Sequence, residues 1–176
     1  MTLHHFLGAN IELPIGTFGR NPTYKTLSEL GIKGINLDKY LKKNNGSKLV
    51  TVYETEEDSS GINVSNLDSG YEPVRDKFTT PFIYEVEGYL HNNNTASHRK
   101  SIKALFNFID VHLLEGDLIE IYSCWDRHEG KEKDDSKDVV INLSTFQFGK
   151  HLKLKDINHL CETFFLEDKQ YVLVKK

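Results

Sequence analysis

Between Phe82 and Trp125 a strand, a long amphipathic helix and a second strand follow one another, and no other stretch limits the fold so tightly. From Ser97 to Leu114 the apolar residues Ile102, Leu105, Phe106, Ile109 and Leu113 recur at helical spacing, with Lys100, Lys103, Asn107 and Asp110 on the remaining surface. Thr95 or Ser97 offers an N-cap oxygen to the first free amides, and Glu115-Gly116-Asp117 supplies a glycine stop. The flanking segments alternate. In Phe82–Leu90 one face carries Phe82, Tyr84, Val86 and Leu90, and the other Ile83, Glu85, Glu87 and Tyr89. In Leu118–Trp125 the apolar face is Ile119, Ile121 and Trp125, opposite Glu120, Tyr122 and Cys124. A helix that covers the apolar face leaves Glu85, Glu87 and Glu120 together on the far side of the sheet.

Further elements read less strongly. Leu3–Leu7 and Ile62–Ser65 suit short strands, Tyr24–Leu30 one or two helical turns, and Leu37–Lys43 a helix with Asn36 as its cap and Asn44-Asn45-Gly46 as its stop. Lys48–Glu54 is β-rich and runs into the acids Glu54, Glu56, Glu57 and Asp58, in a strand expected to belong to the same sheet. From there to Pro81 the chain is turn-rich, the place for an extended loop. Residues 126–138 hold six acids and four bases, a solvated tip, after which Val139–Leu143 should return antiparallel to Leu118–Trp125. Phe146 and Phe148 mark a buried turn, Asp156 a helix start with Ile157, Leu160, Cys161 and Phe164 along one face, and Tyr171–Val174 a last strand. The sum is a single α+β domain over residues 1–176: a mixed or mainly antiparallel sheet of about five strands, helices packed chiefly on one face, built round the central β-α-β unit 82–125.

Composition narrows the function classes. Hydrophobic residues make up 38% and charged residues 27% of the chain, enough apolar material for one substantial core. No apolar run approaches the roughly 20 residues of a membrane helix, and Met1-Thr-Leu-His-His-Phe-Leu-Gly8 lacks the basic and apolar parts of a signal peptide. Two cysteines form no disulfide framework, which suits a reducing, cytoplasmic setting. Residues 48–90 carry three bases against nine acids, while the chain ends are mildly basic, a pattern that argues against nucleic acid as partner.

Motifs for chemistry are sparse. The glycines at 8, 16 and 19 are followed by no Gly-Lys-Ser/Thr and match no dinucleotide fingerprint, so no cofactor is expected. Cys124 with His128 four residues on has the parts of an activated thiol, but a strand residue and a loop residue this close rarely face one another. Eight scattered histidines show no ligand spacing and the adjacent pair His4-His5 faces opposite sides of a strand, so no metal is expected. The carboxylates remain. Glu85, Glu87 and Glu120, with Tyr89 and Tyr122 beside them and Glu54, Glu56, Glu57 and Asp58 arriving from a neighbouring strand, form an acidic, tyrosine-bearing face. Such a face suits a basic protein partner, because acids steer association and tyrosines add rigid contact area. The expected function is therefore a non-catalytic, cytoplasmic protein-interaction protein. A toxin-neutralising immunity-type protein of bacterial kind has this size and charge. Two alternatives stand beside it: a small hydrolase using Glu85, Glu87 or Glu120 as acid and base, with no catalytic residue assignable from sequence, and a structural protein with no ligand at that face. Tyr and Trp at strand edges also allow a homodimer.

Overall fold

The computed structural model describes residues 2–31, 49–91 and 95–176. The chain divides into two units, one made of Met1–Gly19 with Ser60–Lys176 and the other of Arg20–Ser59. Among the described residues the elements run, in chain order, β1 (Leu3–Ala9), β2 (Gly16–Phe18), β3 (Thr23–Thr26), β4 (Leu49–Val52), α1 (Glu56–Ser59), β5 (Ile62–Asn66), a 3-10 helix (Ser69–Lys77), β6 (Phe82–Gly88), α2 (Ala96–His112), β7 (Leu118–Trp125), a 3-10 turn (Asp135–Lys137), β8 (Val139–Asn142), β9 (Gln147–Phe148), β10 (Leu152–Lys153), α3 (Ile157–Thr163) and β11 (Gln170–Lys175).

The larger unit is an α+β structure on a mixed nine-stranded sheet, ordered β10-β9-β8-β11-β7-β1-β6-β5-β2. It exceeds the five strands expected because β2, β9 and β10 contribute only two or three residues each, too few for alternation to register. β1 lies between β6 and β7, antiparallel to both, so the two strands of the central unit are neighbours of β1 rather than of one another. β8 does not pair with β7. It runs parallel to β11, which is inserted between them and is antiparallel to β7. Burial explains the choice: Val172 and Val174 of β11 are fully buried and need the inner position, whereas Val140 of β8 is exposed and tolerates the outer one.

α2 forms as its sequence pattern requires. The Thr95 hydroxyl accepts from the His98 amide at the N-cap, and Gly116, with φ +85°, turns the chain after the C-terminus. Its buried stripe of Ile102, Leu105, Phe106 and Ile109 packs with Leu7, Val86, Ile119, Ile121, Val172 and Val174 of the sheet. α3 opens on Asp156, whose carboxylate accepts from the Asn158 and His159 amides, and adds Leu160, Cys161 and Phe164 to the same core. Phe106 and Phe164 meet edge to face at 5.1 Å between ring centroids.

The opposite face of the sheet is covered over part of its area. Phe6 of β1 and Tyr122 and Cys124 of β7 form a second apolar cluster with Val74 of the 3-10 helix, flanked by Leu67, Tyr71, Phe78 and Tyr171. The stretch expected to be an extended loop is thus a structured lid. Asp68 caps its helix by accepting from the Gly70 amide, and Pro73 sits inside that helix.

In the smaller unit, β3 and β4 pair antiparallel as a separate two-stranded sheet. The expectation that the 48–54 strand joins the main sheet is therefore overturned. Tyr24–Leu30 is not helical: the strand lasts to Thr26, and a reciprocal Thr26–Glu29 capping box then closes a turn. The expected helix 37–43 lies outside the described residues.

Candidate functional site

Alternation places Glu85, Glu87 and Glu120 on the face turned away from α2, and the registers of β1, β6 and β7 agree, but the three carboxylates have very different surroundings. Glu120 is completely buried. It lies opposite Gly8 in the β1–β7 ladder, and a methyl group at Gly8 would come within 2.4 Å of Phe78 Cδ1 and 2.3 Å of Thr80 Oγ1. The missing side chain at Gly8 lets the Phe78–Thr80 segment lie flat on the sheet and bring its donors to Glu120. Thr79 N, Thr79 Oγ1, Thr80 N and Thr80 Oγ1 donate at 2.6–3.0 Å, and the Tyr171 hydroxyl donates from β11. Burial alone would raise the carboxyl pKa, but the hydrogen bonds from Thr80, Tyr171 and Thr79 outweigh it and leave it lowered. A carboxylate held ionised by this many donors is poorly suited to take a proton. Glu120 is a buried anchor for the lid, not part of an open acidic face.

Tyr122 is equally buried, and among the described residues its hydroxyl has no hydrogen-bond partner. Next to it burial pushes the Cys124 thiol up to about 12, with Glu129 and Asp168 adding to the rise. The nearby imidazole does not help: His128 Nδ1 lies 3.4 Å from Asp168, whose carboxylate also accepts from the Trp125 amide. Burial likewise pushes the Cys161 thiol up to about 11. Neither cysteine is an activated nucleophile.

Glu85 and Glu87 stay nearer solvent, beyond the edge of the lid. Glu85 is half-buried and accepts from the Asp68 amide at 3.1 Å, tying the start of the lid to β6. Glu87 is exposed, with the Asn63 amide at 3.5 Å, and Tyr89 is 38% exposed. Two residues that alternation did not single out join them. The Tyr71 hydroxyl, carried by the lid, lies 3.2 Å from His4 Nδ1, and the two rings stack obliquely at 4.9 Å. Burial raises the Tyr71 pKa, and the carboxylates of Glu85, Asp126, Glu129 and Asp68 raise it further. Tyr71 thus lies in the field of acids from β6, the lid and the loop after β7. These acids come from sequence positions too far apart for any motif to reveal.

Glu54, Glu56, Glu57 and Asp58 belong to the smaller unit. Glu54 is ion-paired with Lys25 at 2.6 Å beside the antiparallel β3–β4 pair. Thr55 caps α1 through its hydroxyl, which accepts from the Asp58 amide and donates to the Asp58 carboxylate, so Glu56, Glu57 and Asp58 occupy a first helical turn. This run has a local structural role within the smaller unit.

On the helix side of the sheet, His5 and Ser123 are buried cross-strand neighbours with Nδ1 and Oγ 2.8 Å apart. Burial, followed by the charges of His91 and His4, lowers the His5 pKa to about 3, so the ring stays neutral and satisfies the serine inside the core. Among the described residues no group of three or more His, Cys, Asp or Glu side chains is arranged to hold a metal ion, and no helix is long and apolar enough to cross a membrane. Comparisons with known protein families, curated proteins and solved structures find no match to this chain.

Proposed function

We propose that this protein is a non-catalytic binding protein that presents the acidic surface around Tyr71 to a basic protein partner. The observation that carries this reading is that Glu85 and exposed Glu87 of β6 line one hollow with Tyr71, where the Asp68 amide donates to Glu85; the charges of Glu85, Asp126, Glu129 and Asp68 all act on the Tyr71 hydroxyl in the same direction. Carboxylates clustered at one end of a sheet speed the approach of a positively charged surface and disfavour a negative one. Tyr71, held by His4 and Phe6, supplies rigid area in their midst. A partner with a basic active site would be blocked by occupation of the place its anionic substrate takes. The acid/base alternative loses support at Glu120, whose oxygens are committed to the lid.

The test is capture from lysate of the source cells with tagged protein and two charge-reversed variants. Glu85→Lys with Glu87→Lys reverses the centre of the surface. Glu87→Lys with Asp126→Lys does so without touching the Glu85 bond to the lid. The reading predicts a basic partner retained by the unaltered protein and lost by both variants, with circular dichroism unchanged. Equal retention by all three refutes it.

A further inference from the structure

The β1–β6 ladder runs from Ala9 opposite Phe82 to His5 opposite Val86 and ends there. Both strands continue. β1 reaches back to Leu3 against Trp125 of β7, and β6 runs on to Gly88 against Ile62 of β5. Two neighbouring strands that keep their outer partners but leave each other must splay, since the ladder spacing holds only where main-chain groups exchange hydrogen bonds. The splay opens a hollow of about 300 Å³ between Leu3–His4 and Glu87–Gly88, with Glu85, Glu87 and Tyr71 on its walls. A second hollow of about 470 Å³ shares Thr2, Leu3 and Gly88 with the first and is walled by Trp125, Tyr89 and His91. An acidic hollow and an aromatic one therefore adjoin across the open end of the sheet.

Resting on the reading that this surface meets a basic protein, we infer that the splayed end of β1 and β6 is the seat of an arginine side chain of that partner. The chemistry of the two hollows favours arginine over other cations. A guanidinium is planar and can lie against the Trp125 or Tyr89 ring, as a compact, strongly hydrated ammonium does less well. Its forked N–H donors match a carboxylate, and Glu87 is exposed at the junction. Its aliphatic stem suits the Leu3 and Gly88 rim that both hollows share. A purely apolar side chain would strip water from the Glu85 and Glu87 carboxylates and add nothing to the single amide contact each already has, which is costly.

Trp125 is the chain's single tryptophan and stands in the proposed seat, so its fluorescence reports on occupancy. The full chain is titrated with a capped Gly-Arg-Arg-Arg-Gly peptide and with its lysine and citrulline counterparts, while fluorescein anisotropy on labelled peptides measures binding separately. The arginine peptide is expected to shift Trp125 emission saturably, the lysine peptide to bind about three- to tenfold more weakly, and the uncharged citrulline peptide not to bind. Tyr89→Ala should weaken the arginine peptide by a similar factor with an unchanged thermal midpoint. If arginine and lysine peptides bind equally, Trp125 emission does not move and Tyr89→Ala has no effect, the arginine seat is overturned; should that binding still vanish in the Glu85→Lys, Glu87→Lys variant, the acidic-surface reading survives. Absence of any binding at millimolar peptide overturns both.

Discussion

Replacing Glu120 by glutamine separates a structural carboxylate from a functional one. The side chain is completely buried and surrounded by donors only: two main-chain amides that cannot rotate, two threonine hydroxyls and the Tyr171 hydroxyl. Glutamine keeps the shape, loses the charge and turns an NH2 group toward at least one of those donors. A hydrogen bond to a charged group contributes about 1.5–3 kcal/mol and a neutral one about 1, so losing the charge across this cluster should cost about 2–4 kcal/mol. Alanine, which leaves the buried Thr80 amide without its acceptor, should cost about 3–5 kcal/mol. The penalty should also depend on pH. The folded-state pKa of Glu120 lies below its ordinary 4.5, so its contribution is complete above that value and is lost as pH falls through the lowered one. Urea denaturation followed by Trp125 fluorescence reports on the unit that contains Glu120. The difference between Glu120→Gln and the unaltered chain should be full at pH 7 and shrink as the pH drops below about 4.5. A glutamine variant within about 0.5 kcal/mol of the parent at pH 7, or a difference flat across that range, would refute the role assigned to Glu120.

Three further outcomes follow from the same geometry. His5 and His98 are buried and held neutral by burial, with His5 lowered to about 3, so they favour the folded state most above 6.5 and lose that contribution as pH falls. Stability measured by urea midpoint should then decline below pH 6.5, by about 1.4 kcal/mol per pH unit for His5, and His5→Gln should flatten the slope by one proton. Gly8→Ala should destabilise by about 1–3 kcal/mol, read as a lower thermal midpoint, because its methyl group collides with Phe78 and Thr80 above Glu120. Cys124 and Cys161 should resist an uncharged maleimide at pH 7.5 in the folded chain and react promptly in urea, since burial both hides the thiols and raises their pKa.

Some of this structure was legible from residue order and some was not. α2 was, because its apolar spacing, Thr95 and Gly116 all favour the same helix, as was α3 from Asp156. Alternation assigned the faces of β6 and β7 correctly, since side-chain direction in a strand is a local property. It could not foresee the lid. Ser69–Lys77 carries Pro73 and several charges and reads as a loop, yet Val74 closes over Phe6, Tyr122 and Cys124. For the same reason alternation placed Glu120 in solvent: the donors that make burial of an acid tolerable sit some forty positions before it and some fifty after it in the chain. The insertion of β11 between β7 and β8 depends on which strand most needs burial, a comparison across the whole sheet. The acidic surface itself was half readable. Glu85 and Glu87 were visible by period two, whereas Tyr71, His4, Asp126 and Glu129 join them only through the fold.

The central claim, that acids at the splayed end of the sheet recruit a basic protein, is tested most directly by the association rate of the captured partner as salt is varied. The account predicts a rate that falls steeply with ionic strength for the unaltered chain, and a low, nearly salt-independent rate for Glu87→Lys with Asp126→Lys. Equal rates and equal salt dependence for the two proteins would contradict it.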